Sequence, residues 1–432
     1  MSTLTYEDLK FPNYINNKLF FGNLTVSDAI AATVPAGLSL LLVGDAGCGK
    51  TQAASDIYYH LFGGNIADEG QGILIRAHPE VDIYNEIFTQ INVQAGRREL
   101  TDNINALVYR VEELNRAPPV GQNQFFGLGD GDMDNKGRSI SLGREGYHQC
   151  IATANLGNGE FSGTFKTDKA MYNRLHVAFD FSSQQYKPTD EDRFEMDERT
   201  ANPNVKKTSP RDISELIIAA HKEIAQKTAD KGIEATAVLH YLSFGLENCW
   251  EYEQKGKSWP RKCQGCQHNP TDDALCSLIR EPVLRTLQAT VLYAAALEYV
   301  AKLKDPAVNL DPVELMFKSF EMTGAYQFLL NPGILKQKYE DDVPAMMHAA
   351  VEELKKDFRV NEGYIFTAME QAKEGRRIVN FFEKDGQVGD YDSLGERAKR
   401  KISPIQPFTD KRLIGMGWVP KYLDYVLKRK RN

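Results

Sequence analysis

The segment that most constrains this chain is a short glycine-rich run near its N-terminus. It reads Gly44-Asp45-Ala46-Gly47-Cys48-Gly49-Lys50-Thr51. This spacing fits the pattern G-x-x-x-x-G-K-[ST], in which glycines let backbone N–H groups approach phosphates. An apolar stretch at 38–43 precedes it and predicts a buried parallel strand. Residues 52–61 follow and predict a helix that ends at Gly63-Gly64. Strand, loop and helix together predict a phosphate-binding P-loop at residues 44–51.

Two side chains of the P-loop have a predicted chemical role. Lys50 can reach the β- and γ-phosphates of a nucleotide, and the Thr51 hydroxyl can bind Mg²⁺. The N-terminus of the following helix adds a partial positive charge. Cys48, inside the loop, and Cys150, in a later strand, are expected to be structural.

Composition sets the class of protein. The chain has 432 residues, enough for two or three domains, and its 42% of apolar residues is ordinary for a soluble globular protein. A net charge of −7 gives no general support for nucleic-acid binding, although a local basic patch stays open. Six cysteines are few for this length, so we expect the reducing cytoplasm. No leader-like segment is evident, and no apolar run approaches the roughly 18 residues needed to span a bilayer, so we expect no membrane association.

A second informative segment is a predicted strand at 105–111 that ends in Glu112-Glu113. This is the Walker B arrangement, in which Glu112 would orient Mg²⁺ or its water and Glu113 would polarise the attacking water. The usual pair is Asp-Glu, so Glu112 bears on the hydrolysis rate. Arg110 is also unusual, because core parallel strands are normally apolar on both faces. The alternative is a helix start with two solvated acids.

A third strand is predicted at 148–155 and ends in Asn155. A polar side chain at the end of a strand beside a P-loop can hold the attacking water. The alternative is a strand-end cap or turn former. Between these strands, the polar, glycine-rich segment 127–146 predicts a hairpin around Asn135-Lys136-Gly137.

Several motifs, in order along the chain, carry a resemblance to a known family. They are Glu112-Glu113-Leu114-Asn115-Arg116-Ala117-Pro118-Pro119 with Gln122-Asn123, Ile151-Ala152-Thr153-Ala154-Asn155, Gly159-Glu160-Phe161-Ser162-Gly163-Thr164, Tyr172-Asn173-Arg174-Leu175 and Ser209-Pro210-Arg211. On these motifs, residues 15–225 resemble AAA+ ATPases, and within them the MoxR group, in the branch typified by CbbQ and NorQ. Glu112, Asn173 and Leu175 depart from the family pattern, which has Asp, Asp and Phe there, and this indicates a divergent member.

The resemblance implies a ring, commonly a hexamer, with ATP and Mg²⁺ bound between subunits. Arg174 would be the arginine finger that reaches the neighbouring subunit, and Arg211 would be the sensor-2 residue. The 127–146 hairpin falls where MoxR proteins carry their helix-2 insert. The group remodels a protein client, or inserts a metal or cofactor into it, often with a von Willebrand factor A protein as partner.

The expected fold class is α/β, a P-loop AAA+ parallel sheet flanked by helices and followed by a mainly α-helical C-terminal region. We expect a nucleotide-binding domain at 1–185, because the polar segment 180–210 contains Pro188, Pro203 and Pro210 and reads as a linker. A helical lid is expected at 186–305 and a helical extension with a basic tail at 306–432.

A group of cysteines in the expected lid could bind a metal. Cys263 and Cys266 have C-x-x-C spacing, with Cys249 before them and Cys276 after them. These thiols could form a tetrahedral zinc site, with His268 as an alternative fourth ligand. An iron–sulfur cluster uses the same thiolates, and incidental, buried cysteines are the remaining alternative.

Three functions are compatible with these features. The first is an ATP-hydrolysing ring ATPase that remodels a protein partner. The second is a slowly hydrolysing, nucleotide-dependent binding scaffold, which the Glu112 departure favours. The third and weakest is a nucleic-acid-dependent motor that uses the basic runs at 397–401 and 428–431, although a solvated helix face or tail is the simpler explanation of those runs.

Overall fold

The computed structural model of the protein describes residues 3–11, 17–63, 71–135, 137–155, 164–199, 211–229, 231–245, 275–373, 381–385 and 387–402. The chain divides into two compact units. Unit 1 comprises Met1–Ala229, Leu292–Leu310 and Met322–Phe328, and unit 2 comprises Asp230–Val291, Asp311–Glu321 and Leu329–Asn432. Two stretches that follow the predicted linker in sequence, Leu292–Leu310 and Met322–Phe328, belong to unit 1, and the domain boundaries at 185 and 305 stay predictions.

The described strands are β1 (Leu19–Phe21), β2 (Leu24–Thr25), β3 (Leu40–Gly44), β4 (Gly72–Arg76), β5 (Thr89–Asn92), β6 (Arg97–Leu100), β7 (Val108–Glu112), β8 (Asp132–Asn135), β9 (Arg138–Ser141), β10 (Gln149–Asn155), β11 (Val177–Asp180), β12 (Phe381–Lys384) and β13 (Gln387–Asp390). The described α-helices are α1 (Tyr6–Leu9), α2 (Val26–Ala36), α3 (Lys50–Phe62), α4 (Pro119–Gln122), α5 (Phe126–Asp130), α6 (Lys169–Tyr172), α7 (Asp190–Arg199), α8 (Ser214–Ala229), α9 (Ile233–His240), α10 (Leu275–Leu278), α11 (Leu284–Lys304), α12 (Pro312–Gly324), α13 (Pro332–Tyr339), α14 (Val343–Lys373) and α15 (Glu396–Lys399). Short 3₁₀ or π turns cover Tyr84–Phe88, Asp102–Asn105, Leu114–Arg116, Asn123–Phe125, Tyr241–Gly245 and Tyr391–Ser393.

The centre of unit 1 is a five-stranded sheet in the order β11-β3-β10-β7-β4, and every pair in it is parallel. Residues of β3, β10 and β11 are buried nearly throughout, as the apolar runs in the sequence predict for strands covered on both faces. The carboxyl ends of parallel strands meet at one edge, which is where open α/β sheets bind ligands. The predicted α/β P-loop fold, with a mainly helical region after it, is confirmed.

The first helix after the P-loop is α3, and glycines define both of its ends. Gly49 precedes it with φ 88°, and Gly63 follows it with φ 70°, both in the left-handed region that glycine tolerates. The predicted helix at 52–61 is therefore confirmed and extends by one or two residues in each direction.

Two hairpins project between strands of the sheet. The predicted hairpin around 135–137 is confirmed as β8 paired with β9. The pairing of β5 with β6 does not follow from the sequence, because Gly96-Arg97-Arg98 resembles a polar loop. The sequence at 79–88 also predicts a helix, whereas the structure has only a short π-helical turn at Tyr84–Phe88.

Unit 2 is mainly helical in its described residues, apart from the antiparallel pair of β12 and β13. The rings of Tyr241, Phe317 and Phe358 contact one another edge-to-face at centroid distances of 5.3 to 6.3 Å. The Tyr241 hydroxyl donates to Asp357 Oδ2 at 2.6 Å, which satisfies its polar end. None of the described helices combines the length and apolar character needed to cross a bilayer.

Candidate functional site

The P-loop adopts a backbone conformation that only glycine tolerates at its turning points. Gly44, Gly47 and Gly49 have φ values of 143°, 82° and 88°. A Cβ atom on Gly44 would lie 2.8 Å from Cys48 Sγ and 3.1 Å from Ser182 Oγ. The absence of a side chain at this position is therefore a condition of the loop's shape, as the sequence pattern predicts.

Lys50 is the first residue of α3, and its ammonium group turns back into the loop. Nζ donates to the carbonyl oxygen of Gly44 at 2.9 Å and to that of Asp45 at 2.7 Å. The residue is only 7% exposed, so these two bonds compensate the burial of its charge. This places the charge inside the curve of the loop, where the phosphates of a nucleotide are cradled.

The N-terminus of α3 offers further donors. Its capping residue, Gly49, has no side chain to bond the first N–H groups of the helix. Such uncapped N–H groups, together with the helix dipole, form an anion-binding site. Thr51 lies exposed at the start of the helix, and its carbonyl oxygen accepts from Ser55 Oγ at 2.8 Å.

Unit 1 contains two described cysteines, half-buried Cys48 and buried Cys150. Burial raises the pKa of the Cys48 thiol, although nearby Lys50 partly opposes this. Cys150 is fully buried in β10, and burial raises its pKa to about 12. Both thiols are therefore protonated at neutral pH and are poor nucleophiles.

A network that sequence reasoning missed supports the P-loop from β11. The Asp45 amide donates to Ser182 Oγ at 2.8 Å, and the Ser182 amide donates to Asp180 Oδ1 at 2.9 Å. The other oxygen of buried Asp180 accepts from the Tyr326 hydroxyl at 2.6 Å. The available signal was the polar run at 182–185, one residue after the buried strand β11 that lies beside the P-loop strand.

The acidic segment at the end of β7 is surrounded by arginines. Glu112 Oε1 lies 3.3 Å from Arg110 Nη2, and Glu112 Oε2 lies 3.5 Å from Arg76 Nε. Arg76 is its register partner on β4, whereas Arg110 lies two residues earlier on the same strand. The predicted metal-orienting carboxylate is therefore engaged in two ion pairs.

Glu113 is held in a strained backbone conformation. Its φ is 54°, in the left-handed region that non-glycine residues rarely adopt. Its amide donates to Thr153 Oγ1 on β10 at 3.0 Å. Its carboxylate is paired with Arg116, with 2.6 Å between Arg116 Nε and Glu113 Oε2. The strand neighbour β10 thus fixes where the Glu113 backbone lies.

Asn155 is brought beside both the P-loop strand and the acidic segment. It pairs in register with Gly44 of β3. Asn115 Nδ2 donates to the Asn155 carbonyl at 3.1 Å, and the Asn155 amide donates to Asn115 Oδ1 at 3.3 Å. In this pair Asn155 contributes its backbone amide and carbonyl groups, and not its side-chain carboxamide. Glu112, Asn155 and Gly44 therefore end three strands at the same sheet edge.

Arg174, the predicted arginine finger, is held within its own chain. Its Nε donates to Asp130 Oδ2 at 2.6 Å, and Nη1 donates to the Ala170 carbonyl at 2.9 Å. The guanidinium lies 4.2 Å from the centroid of the Phe126 ring. A role in a neighbouring subunit would require release from these three contacts.

Arg211, the predicted sensor-2 residue, is not brought to the P-loop. Its amide donates to the Tyr59 carbonyl, close to the C-terminal end of α3, and its Nη2 donates to the Asp8 carbonyl at 2.7 Å. The P-loop lies at the N-terminal end of the same helix, which at 1.5 Å per residue is roughly 18 Å long. Arg211 therefore lies near the end of α3 that is farther from the P-loop, and its sensor-2 role stays a prediction.

The predicted zinc cysteines, Cys249, Cys263 and Cys266, lie outside the described residues, and so does the side chain of Cys276. Where the structure describes the chain, no group of three or more His, Cys, Asp or Glu side chains is arranged to hold a metal. Mg²⁺ needs only one or two protein oxygens when it binds with a nucleotide, because waters and phosphates complete its shell. The hydroxyl of Thr51 and the carboxylate of Glu112 fit that requirement.

No family model matches the chain, and no curated protein matches it. The chain is similar to the solved structure of a candidate ATPase from Cytophaga hutchinsonii, at 14% sequence identity and a TM-score of 0.49, over 74% of this chain and 88% of that one. Because the sequence identity and the TM-score are both low, this likeness does not indicate a function for the chain.

Proposed function

We propose that the protein binds and hydrolyses ATP as a P-loop ATPase of the AAA+ kind. One observation carries the proposal: the P-loop, the acidic segment and Asn155 end three strands at one edge of a parallel sheet. The strand that ends in Asn155 lies between the P-loop strand and the acidic strand. A nucleotide on the P-loop therefore has a polar amide and two carboxylates at the same edge.

The side chains have distinct roles in this proposal. Lys50 moves its ammonium from the loop carbonyls to the phosphates, while the N–H groups of α3 bind phosphate oxygens. Thr51 and Glu112 would hold Mg²⁺, which neutralises charge on the phosphate oxygens when bound. Asn155 would hold a water molecule in line with the terminal phosphate, and Glu113 would accept its proton. Glu113 must leave Arg116 to do so.

The MoxR-like features extend the proposal beyond hydrolysis. The order of the motifs supports a ring, commonly of six subunits, in which Arg174 is released from Asp130 and stabilises charge on a neighbour's nucleotide. The client would be a protein, and a von Willebrand factor A protein is the partner that the resemblance suggests. A structural zinc site at Cys249, Cys263, Cys266 and Cys276 is part of the same proposal.

Nucleotide binding and turnover test the core of the proposal. Purified full-length protein should bind ATP and release phosphate with Mg²⁺ present. Lys50→Met should weaken ATP binding by at least about tenfold, because it removes a charge-assisted contact to phosphate. Lys222→Met, which removes an exposed lysine paired with Glu145, is the matched control and should leave binding unchanged. Binding that is equal in the wild type and Lys50→Met would contradict the proposal.

A second candidate function has its own supporting observation. Both acids are paired with arginines, Glu112 with Arg110 and Arg76 and Glu113 with Arg116. A nucleotide-dependent scaffold that hydrolyses slowly would need only the P-loop, with the acids left in these pairs. ATP binding without turnover, both alone and with a partner added, favours the scaffold over the ATPase.

A further inference from the structure

Arg110 is a buried cation in the middle of a core strand. Its side chain is 6% exposed, at a position where parallel strands normally carry apolar residues. Nη1 donates to Ser55 Oγ at 2.9 Å, and the guanidinium lies 5.6 Å from the centroid of the Tyr58 ring. Nε has no partner among the described residues. A charge buried in this way needs a compensating anion. For Arg110 that anion is the carboxylate of Glu112, the last residue of the same strand.

The contacts of Arg110 connect the two residues that would hold Mg²⁺. Its Nη2 lies 3.3 Å from Glu112 Oε1. Ser55, which accepts from its Nη1, donates to the carbonyl oxygen of Thr51 at 2.8 Å. Arg110 is therefore bound directly to one predicted metal ligand and through a single hydroxyl to the backbone of the other.

The charge of Arg110 opposes the binding of a divalent cation at Glu112. A carboxylate oxygen in an ion pair must share its charge, and a fixed positive charge a few ångströms away repels Mg²⁺. Arg76 is the second cation at the same carboxylate, but its side chain is 78% exposed, so water and salt screen it. The two arginines differ in burial and not in the carboxylate they contact.

We infer that Arg110 is a positioning residue that holds Glu112 in an ion pair and thereby lowers the affinity of the nucleotide-bound site for Mg²⁺. The inference rests on the proposed function, since it needs a nucleotide in the P-loop. Its consequence is that the site closes around Mg²⁺ only when the Arg110–Glu112 pair opens.

Calorimetric titration with Mg²⁺ tests this inference. The full chain is first saturated with an ATP analogue whose β–γ bridge is an imido group. Arg110→Met should bind Mg²⁺ roughly ten- to a hundredfold more tightly than the wild type, because a buried unit charge is removed. Arg110→Lys keeps the charge and should stay within about threefold of the wild type. Arg76→Met is the matched control for the same carboxylate and should also change affinity by no more than about threefold.

Folding is checked by circular dichroism before each titration. Arg110→Met leaves the Ser55 hydroxyl without its donor, so Arg110→Met with Ser55→Ala, which removes both partners of the buried hydrogen bond, replaces it if it does not fold. Unchanged or weaker Mg²⁺ binding in the folded Arg110→Met protein overturns the inference, as does an equal gain in Arg110→Lys. If the analogue does not bind the wild type at all, the proposed function and the Arg110 inference are both contradicted. If the analogue binds but Arg110→Met leaves the Mg²⁺ affinity unchanged, only the Arg110 inference is contradicted.

Discussion

The P-loop and the acidic segment lie at the same sheet edge but are built in different ways. The P-loop side is shaped by its backbone: glycines at positive φ, an uncapped helix N-terminus and a lysine held by two loop carbonyls. The acidic side is held by side-chain ion pairs, in which Arg110, Arg76 and Arg116 occupy the carboxylates of Glu112 and Glu113.

This difference separates binding from chemistry. A backbone cradle loses little entropy when phosphate arrives, because its donors are already in place. Ion pairs must be broken before the same carboxylates can orient water or metal. We therefore expect the phosphate side to bind nucleotide readily and the acidic side to limit turnover.

The largest effect should come from breaking the acidic side alone. Glu113→Gln should lower ATP turnover by roughly 10²- to 10⁴-fold, since it removes the group that accepts the proton of the attacking water. ATP affinity should stay within about threefold of the wild type. Phosphate release and equilibrium binding of a fluorescent ATP analogue measure the two quantities.

Glu99→Gln is the control for that variant, because Glu99 lies on the β6 strand of a hairpin and pairs with Arg97. Its turnover should equal that of the wild type. Unaltered turnover in Glu113→Gln would mean that another group accepts the proton.

An intermediate effect should come from distorting the phosphate side. Gly44→Ala combines an unfavourable φ of 143° with a Cβ placed 2.8 Å from Cys48 Sγ, so the loop must shift. Backbone strain of about 1–3 kcal/mol corresponds to a loss of roughly 5- to 150-fold in ATP affinity. Binding of the fluorescent analogue measures it.

Gly96→Ala is the matched control for Gly44→Ala. Gly96 also has a positive φ, 61°, but an added Cβ would meet nothing within 4 Å. Gly96→Ala puts an alanine at positive φ in the turn of the β5–β6 hairpin and should leave ATP affinity unchanged. Equal losses in the two variants would show that general destabilisation, rather than the shape of the loop, lowers affinity.

The smallest effect concerns the stability of α3 and leaves the chemistry alone. Burial raises the pKa of Asp56 well above its ordinary value, to about 7, while a hydrogen bond from Gln52 partly opposes this. Because the folded pKa is the higher one, its contribution to stability is full below about pH 4 and is lost as the pH rises through about 7.

Asp56→Asn should remove that loss. When the pH rises from 5 to 8, the free energy of unfolding of the wild type should fall by on the order of 2 kcal/mol more than that of Asp56→Asn. ATP affinity should be unchanged in the variant. Urea unfolding at the two pH values measures it. Parallel pH profiles for the two proteins would show that Asp56 titrates normally in the folded state.

The local patterns in the sequence were sufficient for the phosphate side. The P-loop, its strand and its helix are consecutive in the chain, so one short pattern contains the whole structure. The hairpin at 132–141 was predictable for the same reason, since its turn residues lie between its strands.

The acidic side depends on contacts between distant residues. Arg110 was recognised as unusual in its strand, but its bond to Ser55 joins positions 55 residues apart. Arg211 shows the same limit: its motif follows the expected order, yet hydrogen bonds to Tyr59 and Asp8 hold it near the far end of α3. The β5–β6 hairpin was missed because β6 begins with Arg97-Arg98 directly after Gly96 and therefore resembles a polar loop.

A structure of the full chain with Mg²⁺ and the imido analogue of ATP tests the central claim most directly. We predict that the P-loop backbone keeps its present conformation, with Lys50 Nζ on the phosphates, while Glu112 and Arg110 separate beyond the ~4 Å limit of an ion pair. A bound analogue with the Arg110–Glu112 pair intact and the P-loop rearranged would contradict the account, because the P-loop and not the acidic segment would then be the part that moves.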